Sequence, residues 1–102
     1  MMIYVSHKYG GKLENIERAK KITHDLQMAH PENCYVCPLL NFSYLQYKEL
    51  GYNEELDLCI DLLSVCDKLL VASNISKGVQ AEIDFAHLVH MEVEYLYGVE
   101  QN

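Results

Sequence analysis

The apolar run Lys68-Leu69-Leu70-Val71-Ala72 leads directly into Ser73-Asn74-Ile75-Ser76-Lys77-Gly78-Val79-Gln80-Ala81-Glu82, and this junction constrains the fold more than any other stretch. It reads as a short buried strand, a tight loop and a helix opened by Gly78. A strand feeding straight into a helix is the repeating unit of a parallel α/β sheet, because parallel strands can be joined only by crossovers. The open helix end carries unpaired N–H groups and the positive end of the helix dipole, which suits an anion. The same reading puts Glu82 in the first turn of the helix, where the dipole favours its ionised form.

The rest of the chain repeats the pattern. Ile3 to Ser6 is apolar and short, as a first strand, and Ser6-His7-Lys8-Tyr9-Gly10-Gly11 is a loop. Leu13, Ile16, Ala19, Ile22 and Leu26 recur at helical spacing, opposite Glu17, Arg18, Lys20 and Lys21. Cys34 to Cys37 makes a second strand that stops at Pro38, and Leu56, Cys59, Ile60, Leu63 and Cys66 mark another helix. The helix after Gly78 carries Val79, Ile83, Ala86 and His90 on one stripe, and Val93, Tyr95 and Tyr97 alternate with Glu92 and Glu94 in a final, partly exposed strand. His87 and His90 are read as packing or surface residues of that helix. With 102 residues the chain is expected to form one domain, spanning 1–102. The expected fold is an open, doubly wound, Rossmann-like parallel sheet of about four strands in the order 2-1-3-4, with helices on both faces.

Composition removes several classes of function. Fifteen acidic residues against eight basic ones give a net charge of -7, with no basic stripe, so neither a nucleic acid polymer nor an anionic membrane is an expected partner. The N-terminal Met1-Met2-Ile3-Tyr4-Val5 has no basic region ahead of a long apolar run, no segment reaches the length of a membrane span, and the cysteines are read as reduced thiols. A cytoplasmic location is the expectation. Cys34 and Cys37 have the spacing of a redox or zinc pair, but within a strand they point to opposite faces, and Cys59 and Cys66 lie on an apolar helix face. The first turn lacks G-x-G-x-x-G, and Gly10-Gly11-Lys12 is followed by leucine instead of a hydroxyl residue. No metal and no cofactor is expected.

In a 2-1-3-4 sheet the chain reverses between the first and third strands, and a crevice opens beyond their C-terminal ends. The loops Ser6 to Gly11 and Ser73 to Gly78 border it, and both offer hydroxyls, backbone donors and glycine. His7 reads either as a group touching a phosphate or base, or as a surface loop residue. Phe42, Tyr44, Leu45, Tyr47 and Tyr52 concentrate aromatic surface between the second strand and the next helix. That segment either associates with another copy, as a homodimer or higher homo-oligomer, or stacks on a base through a residue such as Tyr44.

The segments I-Y-V-S-H-K-Y-G-G, E-N-I-E-R-A, L-L-S-V-C-D-K-L-L-V and S-K-G-V-Q-A-E-I-D-F-A, in this order over residues 3–96, resemble the nucleoside 2-deoxyribosyltransferase-like superfamily. That superfamily includes deoxyribosyltransferases and nucleoside 5'-monophosphate N-glycosidases. The resemblance implies a small nucleoside or nucleotide ligand and a glutamate nucleophile at Glu82. It implies phosphate binding by Ser76 and Gly78, with Ser6 and Gly10 from the first loop. It also implies an aspartate assisting the leaving base, but counting eight residues back from Asp67 reaches Cys59, flanked by Asp57 and Asp61. Either aspartate is a candidate for the role, while Asp67 is read as orienting the strand entrance. Hydrolysis is expected over base exchange, from the S-x-G element and from a chain that ends soon after the fourth strand. The alternative is a nucleotide-binding or sensing module without catalysis.

Overall fold

The computed structural model describes residues 1–96, so the expected place of Tyr97 in the last strand lies outside the described residues. The elements alternate as β1 (Met2–Ser6), α1 (Leu13–Ala29), β2 (Cys34–Val36), α2 (Pro38–Asn41), α3 (Tyr52–Ser64), β3 (Lys68–Val71), α4 (Lys77–Leu88) and β4 (Glu92–Tyr95). All strand pairs are parallel and the order is β2-β1-β3-β4, the expected one. β1 and β3 sit side by side at the centre, Tyr4 opposite Leu69 and Ser6 opposite Val71.

The two-residue period of the strands divides the core into two layers. On one face Tyr4, Leu69 and Val71 pack with Leu63 and with Val79, Ile83 and Ala86 of α4. On the other, Val5 and Ala72 pack with Ala19 of α1 and with Cys37. The N-terminal ends of β1 and β3 are clipped together by Asp67, whose carboxylate accepts from the Met2 amide at 2.7 Å while its own amide donates to the Met2 carbonyl at 2.8 Å.

Four local expectations change. Pro38 does not simply end a strand: its fixed φ and missing N–H suit the first position of a helix, and it opens α2. Leu13 is 70% exposed, and the inward face of α1 starts at buried Asn15, whose amide donates to the Tyr9 carbonyl at 2.8 Å. α4 stops at Leu88, so His90 lies beyond it in a left-handed conformation at φ 60° and belongs to no helical stripe. Finally, α4 begins at Lys77 with Ser76 as its N-cap, which makes Glu82 the sixth helical residue. It therefore stands in the second turn, where the dipole has faded, and not in the first.

Candidate functional site

Beyond the C-terminal ends of β1 and β3 lies a cavity of about 390 Å³, walled by the β1 loop, the segment after β2, α3 and the start of α4. Glu82 forms part of its floor and is only 5% exposed. Val79, Ile83 and Ala86 anchor α4 on the sheet, and this turns Glu82 toward the ends of the central strands. Tyr4 and Ser6, two residues apart on the same face of β1, both donate to it, the Tyr4 hydroxyl to Oε2 and the Ser6 hydroxyl to Oε1 at 2.5 Å. Burial opposes the charged form and pushes the carboxyl up to about 7, against the pull of the Ser6 and Tyr4 hydrogen bonds. The expected help from the helix dipole is thus outweighed by desolvation. The Tyr4 phenol is pushed well upward by burial and by the facing carboxylate, so it stays protonated and donates.

The loop residues divide. Ser6 is fully buried with its hydroxyl committed to Glu82, so it lies beneath the cavity and is not an open phosphate donor as expected. His7 and Gly10 line the cavity, as do Ser76 and Gly78. The Ser76 hydroxyl caps α4 by accepting from the Val79 amide at 3.3 Å. Open space lies where a Gly78 side chain would project. The Lys77 ammonium, beside these residues, sits 4.7 Å from the centre of the Tyr52 ring. The two loops are joined: the Lys8 amide donates to the Ser73 hydroxyl at 2.8 Å, and the Ala72 amide to the Ser6 carbonyl at 2.8 Å.

Tyr44 is not brought to the cavity. It is 68% exposed and leans on Phe42 instead, whereas Tyr9, Tyr47 and Tyr52 line the wall. Tyr9 and Tyr47 meet edge to face at 5.2 Å. Gly11 makes room for this pair, since a Cβ there would stand 2.7 Å from the Tyr47 ring.

Asp57 and Asp61 do not reach the cavity either. Both are exposed, on the side of α3 away from it. The helical period explains this: Glu55, Cys59 and Tyr52 share one face, and Asp57 lies roughly half a turn round from Glu55. Burial, with the Glu82 charge nearby, pushes the Cys59 thiol up to about 12. Glu55, one turn before it, is the second carboxylate of the cavity. Tyr4 and Glu55 are therefore among the site residues missed from sequence, as are Tyr9 and Lys77. Tyr4 was legible from its same-face spacing to Ser6, and Glu55 from its four-residue spacing to Cys59. The Cys34–Cys37 pair stands apart from the cavity, with Cys34 exposed and Cys37 buried as the N-cap of α2. Burial pushes the Cys37 thiol up, the opposite of activation.

Residues 1–96 match the family model described as Domain of unknown function (DUF7768). The chain belongs to this family. No curated protein matches it in sequence. Among solved structures it is similar to the 2-desoxiribosyltransferase from Leishmania mexicana, with a TM-score of 0.66 at 13% identity over 99% of this chain and 73% of that one. It is also similar to a 2-deoxyribosyltransferase from the psychrotolerant bacterium Bacillus psychrosaccharolyticus, with a TM-score of 0.59 at 15% identity over 93% and 71% of the two chains. At these identities the likeness is one of fold. No helix among the described residues is long and apolar enough to cross a membrane.

Proposed function

We propose that this protein cleaves the N-glycosidic bond of a (deoxy)nucleoside 5'-monophosphate through a sugar ester on Glu82. The observation that carries the reading is a carboxylate buried in the cavity floor, aimed by Tyr4 and Ser6 and in no ion pair among the described residues. An oriented carboxylate in a partly dry site is the nucleophile of a retaining displacement at an anomeric carbon.

In this reading a Glu82 oxygen attacks C1', the C1'–N bond breaks, and its electron pair leaves with the base. The Glu55 carboxyl gives the base nitrogen a proton as the bond breaks, since the Cys59 thiol, pushed up by burial, holds its own proton too tightly to serve. Water then attacks C1' while Glu55 takes its proton, releasing the sugar phosphate and restoring Glu82. The free amides at the start of α4, with Ser76, Gly78 and Lys77, receive the phosphate. Tyr9 and Tyr47 offer ring edges and faces to the base.

A second reading, nucleotide binding without chemistry, is favoured by Cys59 where the resemblance implies an aspartate. Free base released from a panel of nucleoside and deoxynucleoside monophosphates, measured for wild type and Glu82→Gln, tests both. Release by wild type alone supports catalysis. Calorimetric binding without release supports the second reading, and neither binding nor release sinks both.

A further inference from the structure

Among the described residues, His7 is the buried polar group of the cavity to which the proposed chemistry gives no role. It follows Ser6 at the end of β1, is 5% exposed, and shares the cavity with Glu82. Its Nδ1 lies 2.8 Å from the Lys8 carbonyl oxygen. A carbonyl only accepts, so Nδ1 carries the hydrogen and donates it. Nε2 is buried without a hydrogen-bond partner among the described residues. Burial, together with the nearby Arg18 and Lys8 charges, pushes the imidazole pKa down. The ring is therefore neutral at pH 7, and Nε2 holds an unshared lone pair that is closed to solvent, so a ligand reaches it only by shifting the groups that cover it. Leaving such an atom dry and unpaired costs about 1–3 kcal/mol, which a ligand with a matching donor recovers.

The polarity of that atom selects its partner. Phosphate oxygens accept and do not satisfy a bare imidazole nitrogen, so His7 does not fit the phosphate role expected from sequence. A nucleotide's donors are its sugar hydroxyls and base N–H groups. The sugar is the part that must lie against Glu82, because C1' is the atom attacked, and His7 adjoins the serine that aims that carboxylate. We infer that Nε2 of His7 accepts a hydrogen bond from a sugar hydroxyl of the bound nucleotide, making His7 a determinant of sugar specificity. The inference rests on the glycosidic reading of the site.

Calorimetry of wild type and His7→Phe with a 2'-deoxynucleoside 5'-monophosphate, its 2',3'-dideoxy counterpart and the matching ribonucleotide tests it, using the base that binds best. The expected result is a wild-type preference of at least about tenfold for the nucleotide carrying the recognised hydroxyl, abolished in His7→Phe. Loss confined to the dideoxy comparison assigns the 3'-hydroxyl, and loss confined to the ribonucleotide comparison assigns the 2'-hydroxyl. A preference that survives in His7→Phe, or equal weakening of all three ligands, overturns the inference and leaves the glycosidic reading standing. Wild type that binds none of the three overturns both. Long-range proton–nitrogen spectra of the wild type provide a readout that needs no variant. The Nε2 resonance is expected to be that of an unprotonated nitrogen and to move with the hydroxylated nucleotide only; a proton on Nε2 in the free protein overturns the inference.

Discussion

Glu82 sits between two opposed forces, donors that hold its charged form and burial that resists it, and burial prevails. A carboxyl raised from 4.5 to about 7 binds its proton more tightly folded than unfolded. Its contribution to stability is therefore fully present below pH 4.5 and is lost as pH rises through 7, by about 3 kcal/mol in all. Glu82→Gln should accordingly gain on wild type as pH rises from 4 to 8, read by denaturant unfolding at each pH. The same variant should lose base release by on the order of 10³-fold or more if the carboxylate is the nucleophile. Tyr4→Phe removes one donor to the carboxylate, so the Glu82 pKa should climb further. The acidic limb of a kcat/KM profile should then move up by on the order of one pH unit, with about 1 kcal/mol of stability lost. An unmoved limb would mean that the Tyr4 hydroxyl does not tune Glu82.

At the level of elements, the β1–α1 loop depends on two glycines for different reasons. Gly10 and Gly11 both adopt left-handed backbone, at φ 61° and 74°. Space around Gly10 is open, whereas a side chain at Gly11 would strike Tyr47. Gly10→Ala should therefore cost about 1 kcal/mol from backbone strain alone. Gly11→Ala should cost the same or more in thermal unfolding and also weaken nucleotide affinity, because Tyr47 must leave the cavity wall. The strands and their order were legible because short apolar runs and helical periods alternate without overlap. Helix starts were not: a cap one or two residues from the expected place moved Glu82 from the first turn to the second, and Pro38 suits a helix start as well as a strand end. The site was legible as a location. Its occupants were not, because which of Glu55, Asp57, Cys59 and Asp61 faces inward depends on the rotation of α3, which is set by packing of Leu63 against the sheet and not by the count from Asp67.

For the molecule as a whole, the cysteines report folding. Cys34 is exposed, Cys37 and Cys66 are buried, and burial pushes the Cys66 thiol up to about 11. Alkylation followed by peptide mass mapping should modify Cys34 in the native protein and Cys37 only on global unfolding. Equal rates at the two would contradict the packing of α2. Cys59 should label slowly and be protected further by nucleotide. The joined loops have a kinetic consequence as well. With the Lys8 amide held by Ser73, the β1 and β3 sides of the cavity form one rigid piece before anything binds. A ligand that docks there loses its own freedom but need not order those two walls, so its arrival should be governed by diffusion and orientation instead of a slow closing step.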